Sequence, residues 1–191
     1  MKIILFGLII CEIVILFFRE SQSKWFGKRG LNWHISVATS RPANEEANQT
    51  DLFFHTIIHL FDNATQDAQT SNSILEDTLD IIKTASPQIT HAYVRSDNAG
   101  CFHGHLCISC IPQINQRSEI QVKRLGFADP QGGKSICDRR AAHLKSAVRK
   151  YVNEGNDVRT AEEFIQAVIR ARCKPFLLYL LHPNKEATHL T

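Results

Sequence analysis

His91-Ala-Tyr-Val-Arg-Ser-Asp97-Asn-Ala-Gly-Cys101 decides how this chain is read: a β-prone apolar run stops abruptly at a carboxylate and a small, turn-forming tetrapeptide. A strand that ends this way delivers an acid to the rim of an α/β sheet, where ligands bind. Downstream, residues 120–127 form a second strand-like run, followed by the loop Asp129-Pro-Gln-Gly-Gly-Lys134 and a helix that carries Asp138. Two carboxylates delivered in this manner point to a hard divalent cation, Mg²⁺ or Mn²⁺, and to phosphodiester chemistry. In such chemistry a pair of ions clamps the attacking and leaving oxygens. The competing reading is structural: Asp97 closes an Asx turn, and Asp138 sits in a first helical turn, where the macrodipole favours acids.

Working outward, residues 31–38 alternate apolar and polar positions, the signature of a half-buried strand. A polar, proline-containing loop over residues 40–51 leads to a second β-rich run at 52–61, and the two pair as a hairpin with a wide connection. Asp62-Asn63-Ala-Thr65 reads as a turn and helix cap. Ile74, Leu75, Leu79 and Ile82 then fall at helical spacing over residues 68–84, with Glu76, Asp77 and Asp80 directed outward. Ser86-Pro87 stops that helix ahead of the strand that delivers Asp97. A short helix over 104–116, interrupted by Pro112, precedes the second strand, and a helix over 135–153 follows it. Glu154-Gly155-Asn156 ends the latter, and Thr160 with Glu163 forms a capping box for a last helix over 161–172. The expected order is a strand hairpin, then alternating helices and strands, then two helices. That order implies an α/β fold in which an antiparallel opening hairpin joins a mixed sheet with helices on both faces.

Length and composition bound the remaining possibilities. A chain of 191 residues with 43% apolar and 21% charged residues accommodates one ordinary core plus tails. The net charge of +3 does not by itself imply a nucleic-acid partner. Its distribution is more telling, because Lys134, Arg139, Arg140, Lys145, Arg149 and Lys150 cluster against the single acid Asp138. Six scattered cysteines are too sparse for a disulfide scaffold, and most are expected to be reduced. Residues 3–18 are apolar except for Glu12, with Lys2 before them and Arg19-Glu20 after. This run is shorter than a membrane span and resembles a signal-peptide core, with Ser21-Gln-Ser23 as a cleavage site. If it acts as a signal or anchor, the sequons at Asn48 and Asn63 become glycosylation candidates in the secretory pathway or at a membrane. The resulting division is a leader at 1–18, a domain at 19–172 and a tail at 173–191, the tail holding a brief apolar run at 176–181.

Three further motifs compete for the chemistry. Ala128-Asp-Pro-Gln-Gly-Gly133-Lys134-Ser135 lies between a strand and a helix, as a phosphate-binding loop does. Pro130 removes an amide donor, the usual first glycine is Ala128, and no later acid-tipped strand remains to hold Mg²⁺. A glycine hinge that places the basic helix is the expected role, with no nucleotide bound. Cys101-Phe-His103-Gly-His105-Leu-Cys107-Ile-Ser-Cys110 offers five zinc-type ligands in ten residues, yet no second knuckle exists and cysteine also packs as a small hydrophobe. Nothing in the local sequence supports Cys137 and His143 as a nucleophile pair.

Several segments taken together resemble a family. They are Phe18-Arg-Glu-Ser-Gln-Ser23-Lys-Trp25 through Trp33-His34, His59-Leu-Phe-Asp62, Val94-Arg-Ser-Asp97-Asn-Ala-Gly-Cys101, Asp129 through Asp138-Arg139, and Val152-Asn-Glu-Gly155. In that order, over residues 18–170, they are similar to transposon-derived RNase H-like domains of the DDE transposase/integrase type in animal proteins. The resemblance implies an RNase H-like sheet whose acids hold two metal ions, Mg²⁺ or Mn²⁺, for DNA strand cleavage and transfer, and it implies a nuclear location. Asp97 then corresponds to the second acid, after the fourth strand, and Asp138 to the third, on the helix after the fifth. Lys134, Arg139, Lys145 and Arg149 correspond to basic residues near the DNA backbone, which implies strongly salt-dependent binding. The first acid belongs on a strand just ahead of Phe18, and the only acid there is Glu12. The expectation is a fold that keeps DNA binding and lacks catalysis. An active Mg²⁺-dependent nuclease would need Glu12 or Asp62 as a replacement, and an unrelated secreted or anchored protein is the third reading.

Overall fold

The computed structural model describes residues 2–9, 32–40, 52–61, 67–96, 100–127, 136–171, 177–180 and 188–190. Strands β1 (Lys2–Ile9), β2 (Asn32–Ser40) and β3 (Phe53–Phe61) form an antiparallel meander, with β2 and β3 in register from Asn32↔Phe61 to Ser40↔Phe53. Helix α1 (Ala68–Ala85) returns the chain to β4 (Ile89–Ser96), which lies parallel to β1 on the side away from β2. Helices α2 (Gly100–His103), α3 (His105–Ser109) and α4 (Ile111–Arg117) lead to β5 (Gln121–Phe127), parallel to β4. Helices α5 (Ile136–Asn153) and α6 (Ala161–Arg170) follow. The chain then adds β6 (Leu177–Leu180), parallel to β3, and β7 (Thr188–Leu190), antiparallel to β6. The sheet order is β5-β4-β1-β2-β3-β6-β7, so the fold is a mixed α/β sheet with an antiparallel hairpin and a parallel half.

The apolar run that also reads as a leader therefore supplies β1, set between β4 and β2. Its sequence, Lys-Ile-Ile-Leu-Phe-Gly-Leu-Ile, is continuously apolar after Lys2, as strands with neighbours on both sides commonly are. Within the tail the apolar run at 176–181 contains β6, and with β7 it widens the sheet by two short strands. An apolar run of five or six residues carries no periodicity that separates strand from coil.

Two apolar layers sandwich the sheet. On one face Trp33, Ile35 and Val37 of β2 and Ile58 and Leu60 of β3 meet Leu144 and Val148 of α5 and Phe164 and Val168 of α6. On the other, Ile57, Ala92 and Val94 pack under Leu75, Leu79 and Ile82 of α1, together with Ile114 and Ile120. Covering both faces buries every residue of β2 from Trp33 to Ala38. The alternation there thus marks two different buried faces, and the polar members His34 and Ser36 lie beneath α1 and away from water.

Local signals set the helix ends. Asp67, and not the Asp62–Thr65 segment, caps α1: its backbone is extended, and its carboxylate accepts from Thr70 N at 2.8 Å. The capping box at Thr160 and Glu163 is complete, with each side chain accepting from the other's end of the first turn. Gly155 leaves α5 at φ +99°, a left-handed conformation that favours glycine at a helix end. The single helix expected at 104–116 is broken into α3 and α4, with Pro112 in the first turn of α4, where a missing N–H costs nothing.

Candidate functional site at the carboxyl edge of the sheet

Because β1, β4 and β5 run parallel, their carboxyl ends share one edge of the sheet. The last β4–β5 pair there is Ser96↔Phe127, and Ser96 is buried. Asp97 follows Ser96 directly and lies outside the described residues. The chain resumes at α2, whose His103 ring meets Phe127 edge-on at 6.2 Å between centroids. The described elements on either side of Asp97 in the chain are thus a buried strand end and a helix whose His103 ring meets the tip of β5.

Asp138 stands in the first turn of α5, half-buried, beside the buried Cys137. An acid here is favoured by the helix macrodipole whether or not it holds a metal. Ala141, Leu144 and Val148 fix the helix against β2 and its neighbours, so α5 crosses back over the middle of the sheet after β5. At 100° per residue, Asp138, Lys145 and Arg149 fall on one stripe of α5, whereas Arg139 lies about 100° away in line with Lys150. Lys145 is half-buried, and Arg139 and Arg149 are exposed. The helix therefore groups Lys145 and Arg149 with Asp138 and sets Arg139 apart. Lys134, with the whole glycine loop 128–135, lies outside the described residues, and so do the two sequons.

The cysteine–histidine cluster is fully described, and it does not gather around one point. Among the described residues no group of three or more His, Cys, Asp or Glu side chains is arranged to hold a metal ion. Cys107 is buried, and its thiol donates to Asn72 Oδ1 at 3.2 Å. Burial first, then the neighbouring Cys101 and Cys110 thiols, push the Cys107 thiol upward from its ordinary pKa. A thiol held protonated this way is a poor metal ligand and a poor nucleophile. The cluster anchors α3 to α1.

One constellation escaped the sequence reading. Asp77 does not face outward from α1, because its Oδ2 accepts a hydrogen bond from His59 Nε2 at 2.8 Å, and His59 in turn meets His34. The available signal was His34 and Ser36 recurring at alternate positions inside an otherwise apolar strand, with His59 inside the run Ile57–Phe61.

No protein-family model matches this chain, and no curated protein matches it. Among solved structures it is similar to the catalytic core domain of BIV integrase, at 12% identity and a TM-score of 0.35, over 90% of this chain and 84% of that one. Among the described residues no helix is long and apolar enough to cross a membrane.

Proposed function

We propose that this chain is an RNase H-like domain of the transposase/integrase type that keeps a nucleic-acid surface and does not cleave DNA. The observation that carries the reading is the order β5-β4-β1-β2-β3, in which β2 alone opposes the direction of its neighbours β1 and β3 and a helix joins β3 to β4. On that frame an acid follows the last residue of β4 and another occupies the first turn of the helix after β5. Asp97 and Asp138 supply them. Both offer hard oxygen donors suited to Mg²⁺ or Mn²⁺, which would stabilise the charge developing on a phosphodiester. The third donor belongs on the central strand, and Lys2–Ile9 contains no Asp or Glu. Two carboxylates hold an ion more loosely than three, and the second metal of the pair lacks its share of ligands. The residual role is binding, through phosphate contacts from Arg139, Lys145, Arg149 and Lys134.

Two results are expected. Supercoiled DNA incubated with the full chain in Mn²⁺ should be nicked no faster by the wild type than by Asp97→Ala. Robust nicking that depends on Asp97 would overturn the inactive assignment. Duplex DNA should still be retained at low salt, with affinity falling steeply as salt rises. Replacing Lys145 and Arg149 by alanine should flatten the log–log salt dependence by about two units, one for each lost phosphate contact. An unchanged slope in the double variant would remove α5 from the interface.

A further inference from the structure

The core beneath α1 contains a connected line of polar side chains. His34 and Ser36 of β2, His59 of β3 and Thr78 of α1 are all at most 1% exposed. His59 Nε2 lies 2.8 Å from Asp77 Oδ2, so Nε2 bears a hydrogen and donates it to the carboxylate. On the other side of the same ring, His59 Nδ1 lies 3.4 Å from His34 Nδ1. Ser36 Oγ is 3.4 Å from His34 Nδ1 and 3.5 Å from Thr78 Oγ1, which returns the line to the helix.

Counting protons shows what this arrangement tolerates. The Nδ1···Nδ1 contact accommodates one hydrogen, since two bare lone pairs repel and two N–H groups collide. With both rings neutral, that hydrogen is on His34, and His34 Nε2 is a bare acceptor. It is buried and, among the described residues, has no hydrogen-bond partner. Any additional proton on the two rings must end on His34 Nε2, whichever ring then carries the charge. The result is a buried N–H of a charged pair with nothing to receive it, a costly state in an apolar surround.

We propose that the Asp77–His59–His34 line is an acid-sensitive latch, in which proton uptake at His34 Nε2 releases α1 from β2 and β3. Opening would hydrate that nitrogen and expose the apolar face of α1 formed by Ile74, Leu75, Leu79 and Ile82. The titration has the matching sign. Burial, and then His59, hold His34 well below the ordinary histidine pKa while the latch is closed. Once open, His34 titrates near its ordinary value of about 6.5. The closed state is therefore fully favoured above that value and loses ground as pH falls below it. Coupled uptake of one proton raises the opening equilibrium about tenfold per pH unit within the window.

Among the described residues, the other ionisable groups on the elements packed around the line are these. His55, four residues back along β3, is also lowered by burial, and the hydrogen bonds of the line pass it by. On α1, Asp80 is raised, by burial first and then by Asp77, Glu76 and Glu119, so it favours the closed form only at more acidic pH. Glu76 pairs with Arg117 of α4, and Lys83 with Glu119. Within β1 the one ionisable residue is Lys2, at the end of the strand away from the Ile9↔Ile35 pair.

Amide hydrogen exchange on the full chain between pH 7.5 and 5 tests the latch. Below pH 6.5, protection corrected for intrinsic rates should fall about tenfold per unit in α1 and less than about threefold in α6. His34→Asn retains a donor toward His59 and cannot take up the proton, so its α1 protection should stay level. His55→Gln should keep the wild-type slope. Asp77→Asn still accepts from His59 but removes the charge that compensates a proton in the closed line, so its loss of protection should begin at the same pH as in the wild type and continue to lower pH. A level wild-type profile, or a His34→Asn profile as steep as the wild type, overturns the proposal. Should His34→Asn fail to fold, ring resonances of the wild type decide: His34 must remain neutral until the α1 amides open, and titration with α1 still protected contradicts the latch.

Discussion

Phe164→Ala should lower the unfolding free energy by about 3–5 kcal/mol, among the largest losses open to a single side chain in this fold. Phe164 is 1% exposed in the middle of α6, and its ring centroid lies 5.8 Å from that of Trp33 on β2, at an interplanar angle of 42°. Truncation removes an aromatic pair and leaves a cavity bounded by β2, β3 and α5, elements too well interlocked to collapse into it. Equilibrium denaturation in urea measures the loss through the midpoint, with the slope unchanged if the unfolded state is unaffected. A loss below about 1 kcal/mol would mean that α6 does not seal this face of the sheet.

Leu79→Ala should cost about 2–5 kcal/mol on the opposite face. Leu79 is fully buried in α1, within the layer formed by Ile57, Ala92, Ile114 and Ile120. The sheet separates this cluster from that of Phe164, and the two share no buried residue. The double variant should then lose the sum of the single losses to within about 0.5 kcal/mol, provided enough stability remains to measure. Strong non-additivity would contradict a sheet covered independently on its two faces.

Much of this architecture is legible in the chain because its local signals are strong. The strands at residues 32–40, 53–61 and 121–127 carry alternation or β-branched runs, and α5 carries an apolar stripe interrupted by basic residues. Thr160 with Glu163 announces a capping box three residues apart. Other features have no local signature. The pairing of β1 with β4 joins residues more than eighty positions apart, and no spacing in either segment encodes it. Asp67 and Thr65 are both good caps, and only the start of α1 distinguishes them. The polar positions of β2 look solvent-facing because sequence does not reveal that α1 covers them. Asp77 looks like one more acid on a wet helix face until His59 is found beneath it. In the candidate site, Asp97 and Asp138 are conspicuous as acids at the end of a strand and the start of a helix. The joint use of one ion proposed for them would depend on tertiary geometry, which neither segment encodes.

That joint use is the central claim, and paramagnetic broadening by Mn²⁺ tests it most directly. In a spectrum of the full chain, the amides flanking Asp97, from Ser96 to Cys101, and those flanking Asp138, from Cys137 to Arg139, should broaden together at substoichiometric metal. Asp97→Asn should abolish both responses at once. Broadening confined to one segment, or a response around Asp138 that survives Asp97→Asn, would contradict the shared site and the nuclease ancestry built on it.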